Sequence, residues 1–227
     1  MGGNIMSEFS RAVYLKILER TAEALKANNM LPFIVETKEE ALSTVKALLT
    51  EGGTAACGGS ATLGEIGAME LLRSGAYKFL DREGKSREEM EEVYRAAFSA
   101  DFYLTSSNAV TENGELYNVD GNSNRVAAIC YGPKSVIVVV GRNKIVRSLD
   151  EAILRVKRLA APANTARLGC ETYCQNKGEC MALASGYSGM TDGCRSSDRI
   201  CCSFVVTAQQ RIKNRIKVIL VNEELGF

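Results

Sequence analysis

Six of the eight cysteines lie between Cys170 and Cys202, spaced Cys170-x3-Cys174-x5-Cys180-x13-Cys194-x6-Cys201-Cys202. Thiolates gathered in one segment can hold zinc or an iron–sulfur cluster. None of the gaps is the two-residue spacing that marks a strong metal motif, so disulfides or free thiols explain the pattern as well. The chain has no histidine, so a zinc site would need four cysteines, or carboxylates in place of some. The same absence removes Ser-His-Asp triads, Cys-His dyads and the usual general base near neutral pH. Any catalysis falls to carboxylates, Lys, Tyr, Cys, hydroxyls or backbone dipoles.

Two further stretches could carry chemistry. Thr54-Ala-Ala-Cys-Gly-Gly-Ser-Ala-Thr-Leu-Gly-Glu65 reads as a strand, a glycine turn and a helix start. Gly58, Gly59, Ser60 and Thr62 would let an anion approach free backbone N–H groups there. The alternative is a tight connection, with Thr62 and Glu65 at the spacing of a capping box. The second stretch, Ser106 to Arg125, packs Asn108, Thr111, Glu112, Asn118, Asp120, Asn122, Asn124 and Arg125 around two turns. Such side chains suit a small polar ligand, with Arg125 gripping a carboxylate or phosphate bidentately. The alternative is that Asn and Asp serve as turn formers and helix caps, as Asn113 and Gly114 do in a hairpin turn. Lys144 lies just beyond a strongly apolar strand, where a ligand contact or a solvated loop lysine is expected.

These segments must be placed by their neighbours. Residues 7–29 read as an amphipathic helix with Phe9, Val13 and Ile17 on one face, and Tyr14, Leu18 and Leu25 beside them. Strands are expected at Leu31–Glu36, Thr54–Cys57, Tyr77–Leu80, Asp101–Thr105, Glu115–Val119, Ser135–Val140, Ser203–Thr207 and Ile216–Val221. Helices are expected from Thr37, at about Thr62–Arg73, Ser86–Ser99, Asn122–Cys130 and Leu149–Ala160. A cysteine-rich loop fills about 168–202. Alternating strands and helices predict an α/β fold with a mainly parallel sheet flanked by helices. The run Val136–Val140 fits a strand covered on both faces. One domain over residues 1–227 is expected, since no Pro- or Ser-rich linker interrupts the chain.

Lys plus Arg number 28 and Asp plus Glu 27, giving a net charge of +1. That balance carries no electrostatic footprint for nucleic acid or an anionic membrane. The longest pure apolar run, Val136–Val140, is far too short to span a bilayer. Met1 to Phe9 holds no basic region followed by an apolar segment, so no signal peptide is expected, and Met6 stands where a myristoylation signal needs Ser or Thr. A cytoplasmic protein is expected.

Taken in order, Gly-Gly-Ser-x-Thr-Leu, then Ser-Asn-Ala-Val-Thr-Glu-Asn-Gly-Glu-Leu-x-Asn-Val-Asp-Gly, then Asn-Arg-Val-Ala-Ala, Gly-Pro-Lys and Val-Gly-Arg-Asn-Lys-Ile-Val resemble the LUD-domain family, named for lactate utilisation. The resemblance continues through Ala-Ala-Pro-Ala-Asn-Thr-Ala-Arg-Leu, Asp198-Arg-Ile-Cys201 and the terminal Val-Ile-Leu-Val-Asn-Glu-Glu-Leu-Gly-Phe, covering nearly the whole chain. It implies a fold similar to that of ribose-5-phosphate isomerases, glucosamine-phosphate deaminases and CoA transferases. It also implies a part in bacterial oxidation of L-lactate to pyruvate, beside iron–sulfur partner subunits. By motif position, Gly58, Gly59, Ser60 and Thr62 match the anion-binding turn of related folds. Asn108, Glu112, Asp120 and Arg125 match the polar ligand loop, and Cys174, Cys180, Cys194 and Cys201 match the family's loop cysteines. Two departures stand out. Asp120-Gly-Asn-Ser-Asn-Arg125 replaces a usual Asp-Gly-Thr-Gly-Asn-Arg, and Met181–Gly193 separates cysteines that the family keeps close.

The resulting expectations are specific. Ligand binding falls to Gly58, Gly59, Ser60, Thr62, Asn108, Asn124, Arg125 and Lys144, with the glycine turn and Arg125 converging on one small anion. The candidate catalytic carboxylates are Glu112 and Asp120. Thr111-Glu-Asn-Gly114 also resembles the Ser-Glu-Asn-Gly of some CoA transferases, which would make Glu112 an acyl-accepting nucleophile. A CoA transferase or sugar-phosphate isomerase and a metal-binding interaction protein are the competing functions. Cys174, Cys180, Cys194 and Cys201 are expected to lie close enough to share zinc or an iron–sulfur cluster, or to form disulfides. Cys57 and Cys130 are expected to act as small buried hydrophobes. Expected partners are the small anion and iron–sulfur proteins, with a homodimer as a further candidate, and neither nucleic acid nor membrane.

Overall fold

A computed structural model describes residues 8–186 and 189–227. The expected helix start at Ser7, the stretch read for a signal sequence up to that residue, and Tyr187 and Ser188 within the cysteine-loop insertion lie outside the described residues. In chain order the elements are α1 (Glu8–Ala27), β1 (Leu31–Val35), α2 (Lys38–Leu48), β2 (Thr54–Cys57), α3 (Ala61–Glu65), α4 (Ala68–Leu72) and β3 (Lys78–Phe79). Then follow α5 (Arg87–Ala96), β4 (Phe102–Thr105), β5 (Ala109–Thr111), β6 (Leu116–Asp120), α6 (Asn124–Cys130), β7 (Ser135–Gly141) and β8 (Ile145–Val146). The chain closes with α7 (Leu149–Arg155), α8 (Ala161–Leu168), α9 (Tyr173–Lys177), α10 (Met181–Ala184), β9 (Ser203–Thr207) and β10 (Ile216–Val221).

A six-stranded sheet in the order β1-β10-β7-β4-β2-β3 is parallel throughout. Its core follows from the period-two alternation of its strands. Val136, Val138 and Val140 pack on one face with Val218, Leu220 and the α1 residues Leu18 and Leu25. Ile137 and Val139 pack on the other with Ile219, Val221 and residues of α2 to α4 such as Val45, Leu63 and Leu72. Every residue of β7 is buried. Each such aliphatic side chain contributes about 1.5–3 kcal/mol by leaving water.

A second sheet, β8-β5-β6-β9, stands beside the first. Here β6 runs antiparallel to β5 and β9, while β8 runs parallel to β5. Tyr117 and Val119 of this sheet pack on Ala152, Val156, Ala160 and Ala161 of the long helical segment 149–168.

Several elements depart from expectation. The helix over 62–73 is two short helices, because Gly67 takes φ 77 between them. The helix expected to end at Ala160 continues to Leu168. A π turn, Val156–Ala160, bridges α7 and α8, with the Ala161 N–H donating to the Val156 carbonyl. That register shift precedes Pro162, which has no N–H to give the usual helical bond. On α1, Phe9 is 83 % exposed and Val13 61 %, while Leu18, Thr21, Ala22 and Leu25 form the buried face. Cys130 is exposed at the end of α6, not buried as expected.

Candidate functional site

The connection after β2 leads outward to β3, whereas the one after its neighbour β4 leads the other way, to β7. Such divergence opens a crevice at the carboxyl ends of the strands. Residues 58–62, 106–108 and 142–144 follow β2, β4 and β7 and meet there. A cleft of about 1030 Å³ runs along this edge and includes Gly59, Arg82, Asn108, Arg125 and Arg167. At its inner end lies a smaller pocket of about 50 Å³, reaching Ser60, Ser106, Lys144 and Phe227.

The structure brings most of the expected ligand residues together, but it gives several of them structural partners. The Arg125 guanidinium is saturated by the protein. Its Nη1 donates to the Ser106 carbonyl (3.3 Å) and Asn118 Oδ1 (2.7 Å), and its Nη2 to Asn108 Oδ1 (2.9 Å) and the Val119 carbonyl (2.7 Å). Its Nε lies 3.6 Å from Asp120 Oδ1. The expected bidentate grip on a ligand is thus corrected: Arg125 ties the 106–108 loop to β6, and no free fork remains. Asp120 is likewise engaged. Its Oδ2 accepts the N–H groups of Arg125 (3.0 Å) and Val126 (3.3 Å), at the positive end of α6. Ser123, at the N-cap with φ 65, bonds Ser203 through its hydroxyl and gives the helix N–H groups no side-chain cap, so the upstream carboxylate serves that end.

Asn108 accepts through Oδ1 from both Arg125 and the Val119 N–H. Asn124 lines the cleft at the start of α6. Gly58 is held close to the engaged Arg125 side chain, while Gly59 faces only the movable end of Arg82. A Cβ at Gly58 would stand 3.0 Å from the Arg125 Cδ, and one at Gly59 would stand 2.8 Å from an Arg82 Nη.

The helix after the glycine turn is capped by Ser60, whose Oγ accepts the Leu63 N–H at 3.3 Å. The Thr62–Glu65 capping box therefore does not form. Thr62 is wholly buried, and its hydroxyl donates to the Leu225 carbonyl (3.3 Å), while Glu65 accepts the Gly226 N–H (2.8 Å). Lys144 is only 3 % exposed. Its Nζ donates to Thr62 Oγ1 at 2.8 Å and Ser106 Oγ at 3.1 Å. Burial, with the Arg155 charge adding to it, pulls its pKa down to about 7. Arg155 itself is lowered to about 10 by burial. It bonds the carbonyls of Asn143 and Asn108, joining the segments after β7 and β4.

Two cleft residues escaped the sequence reading. The Arg82 side chain has no hydrogen-bond or ion-pair partner among the described residues and packs on Gly59. Arg167 meets only Asn164 Oδ1, through Nε and Nη2, leaving Nη1 unengaged. With Lys144 of the inner pocket they give the cleft three basic side chains with no carboxylate partner among the described residues, Arg167 lining both parts. Arg167 stood in a quoted motif, at helical spacing from Asn164; nothing around Arg82 signalled it.

Glu112 is elsewhere. It pairs with Arg20 of α1 at 2.8 Å and lines a separate small pocket with Tyr14 and Arg142. Its hairpin turn is pressed onto α1, where a Cβ at Gly114 would stand 2.7 Å from the Ala24 backbone. The two candidate catalytic carboxylates therefore do not share a site.

All eight cysteines are free thiols. Cys180, Cys194 and Cys201 line one small apolar cavity. Burial pushes the Cys201 thiol up to about 12, with Cys174, Cys180 and Cys194 adding to the rise. Cys174 is buried, its sulfur 3.4 Å from Thr172 Oγ1. The four thiols thus gather in one region, and Cys57 and Cys130 stay apart from it. Among the described residues, however, no group of three or more Cys, Asp or Glu is arranged to hold a metal ion. As placed, these side chains do not fit zinc or a cluster. No described helix is long and apolar enough to cross a membrane.

A family model described as the LUD domain matches residues 18–221. No curated protein matches. Among solved structures, the chain is similar to the crystal structure of a DUF162 family protein from Deinococcus radiodurans. The TM-score is 0.51 at 16% identity, over 92% of this chain and 98% of that one. The likeness is one of fold.

Proposed function

The chain belongs to the LUD-domain family, and on that premise we propose that it binds a small 2-hydroxy or 2-oxo acid in the inner cleft and serves in lactate utilisation. The observation that carries this reading is the set of basic side chains without carboxylate partners along the cleft, Arg82 in its outer part, Lys144 in the inner pocket and Arg167 lining both. A carboxylate ligand would supply the missing negative charge through charge-assisted hydrogen bonds. The inner pocket, at about 50 Å³, has room for roughly four waters. That suits a three-carbon acid better than a sugar phosphate or the pantetheine arm of CoA. In this reading the family's iron–sulfur partner proteins take up the electrons released when lactate becomes pyruvate, and the chain supplies the acid-binding cleft.

The test is a calorimetric and thermal-shift comparison of L-lactate, pyruvate, inorganic phosphate and acetyl-CoA. A true ligand at about 100 times its Kd adds roughly 2.7 kcal/mol to stability. Stabilisation by phosphate or acetyl-CoA, with none by either small acid, would turn the assignment toward the isomerase or transferase reading.

A further inference from the structure

We propose that Lys144 forms a Schiff base with the keto group of a 2-oxo acid, so that the inner pocket binds such an acid covalently and reversibly. The inference rests on the reading of the cleft as an acid site and adds a bond to it.

Donor accounting at the nitrogen carries the argument. Lys144 Nζ has two partners, Thr62 Oγ1 at 2.8 Å and Ser106 Oγ at 3.1 Å. Both hydroxyls direct their own protons elsewhere, Thr62 to the Leu225 carbonyl and Ser106 to the Ser107 carbonyl. Each therefore accepts from the lysine. Two accepted bonds match the two N–H groups of a neutral amine, and the third valence of the nitrogen has no protein partner. On a neutral amine that valence is the lone pair, the nucleophile of imine formation.

The surroundings favour the neutral form. No carboxylate pairs with Lys144 among the described residues, and a buried ammonium without a partner is costly. The charged groups acting on it are Arg155 of α7 and Arg125 of α6, which oppose protonation, and Glu65 of α3, which favours it. Glu65 is engaged by the Gly226 N–H. The amine thus titrates at about 7 and is substantially nucleophilic at neutral pH. The same pocket holds Arg167, whose unengaged Nη1 can take the carboxylate of the acid.

The step balances without any redox partner. The Nζ lone pair attacks the keto carbon, a C–N bond forms, and the carbonyl π pair moves to oxygen, which takes a proton. The resulting carbinolamine takes a second proton on that oxygen and loses it as water, while nitrogen has released one. The net change is amine plus ketone plus one proton giving a protonated imine and water. Ser106 and Thr62, bonded to the nitrogen, are placed to relay these protons.

The experiment uses the full chain with pyruvate and cyanoborohydride, which reduces an imine to a stable amine. Digestion and mass mapping should find one adduct per chain, at Lys144, at least tenfold above every other lysine. Its rate should rise between about pH 6 and 8 as the amine loses its proton. L-lactate, which has no carbonyl, should give none. Lys144→Met should abolish the adduct with an unchanged circular dichroism spectrum; because the wild-type map names the residue directly, the test does not depend on that variant folding. Adducts scattered over surface lysines overturn the proposal. So does pyruvate that binds by calorimetry without forming an adduct, and that result leaves the acid cleft standing. Pyruvate that does not bind at all overturns the proposal, and the acid cleft falls with it only if L-lactate does not bind either.

Discussion

Lys144 and Lys157 are buried to nearly the same degree, at 3 % and 5 % exposure, and neither pairs with a carboxylate among the described residues. Their nitrogens are used differently. Lys157 sits in the π turn and donates to the backbone carbonyl of Asp192, while its own carbonyl accepts the Cys180 N–H at 3.2 Å. It lines the apolar cavity that holds Cys180, Cys194 and Cys201. Its bonds fasten the cysteine segment to the helix. Lys144 is held by two side-chain hydroxyls, in a pocket that opens into a polar cleft. A buried lysine is therefore not by itself a functional signal. What separates these two is the setting of the nitrogen: Lys157 donates to a backbone carbonyl beside an apolar cavity, and Lys144 to two hydroxyls in a pocket that joins a polar cleft.

The largest effect should come from removing the frame around Lys144. Arg125→Ala would leave the carbonyls of Ser106 and Val119 and the side-chain oxygens of Asn108 and Asn118 without their donor. We expect a loss of about 3–5 kcal/mol in urea unfolding. Arg125→Lys should recover only part, since an ammonium cannot span four acceptors. A loss under about 1 kcal/mol would show that the frame does not hold the pocket.

Stability against pH sharpens the comparison next. The folded pKa of Lys144 is lowered from 10.5 to about 7. Between those values the unfolded chain binds a proton that the folded chain does not, so stability rises with pH. Cys57 and Cys201 oppose this above 9, because burial raises their thiols from 9.0 to about 11 and about 12. There the folded chain keeps protons that the unfolded chain has lost, and stability falls. The net rise is confined to roughly pH 7–9 and amounts to about 2–3 kcal/mol. Lys144→Met should flatten it.

The two lysines should also answer the same substitution with opposite signs. Lys144→Met removes a buried amine whose hydroxyl partners already donate elsewhere, so stability at neutral pH should hold or rise by about 1 kcal/mol. Lys157→Met leaves the Asp192 carbonyl without its donor and should cost about 1–2 kcal/mol. It should also speed thiol labelling at Cys180 and Cys194. Equal losses from both variants would erase the distinction between a fastening lysine and a functional one.

The sequence made parts of this contrast legible. The valine run of β7 and the ends of β2 and β10 match the structure because both faces of a parallel strand are apolar and turns bound them. Asn108, Asp120, Arg125 and Lys144 stood out as polar groups following strands. Of the second sheet only β6 and β9 were legible. Ala109–Thr111 and Ile145–Val146 are too short to show alternation, and their pairing is set across the fold. Nor could spacing tell that Arg125 is saturated while Arg82 and Arg167 are open. Which guanidinium meets carbonyls depends on the tertiary approach of β6 and α8, and local sequence does not encode it. The cysteine segment was legible as a cluster, but the thirteen residues between Cys180 and Cys194 hid how its thiols are arranged.

A smaller effect should separate the open guanidinium groups from the saturated one. Arg82→Ala and Arg167→Ala remove side chains with few protein partners, so the fold should lose less than about 1 kcal/mol. Affinity for the acid should fall about tenfold in each, the equivalent of about 1.4 kcal/mol. Unchanged calorimetric affinity in both would place the ligand away from this end of the cleft.

The smallest effect is expected at Glu112, the carboxylate singled out by sequence and placed apart by the fold. Its partner Arg20 is 59 % exposed, and such ion pairs contribute at most about 1 kcal/mol. Glu112→Gln keeps the side chain's shape and removes its charge. Stability should change by no more than that, and acid affinity and the Lys144 adduct should be unchanged, because Glu112 lines a different pocket from Lys144 and Arg167. A carboxylate that forms an acyl intermediate behaves otherwise: the amide cannot attack a thioester, so transfer from acetyl-CoA to a free acid would disappear in the variant. If the wild-type chain catalyses that exchange and Glu112→Gln does not, the chemistry lies at the hairpin against α1. The contrast between the two lysines would then describe binding alone.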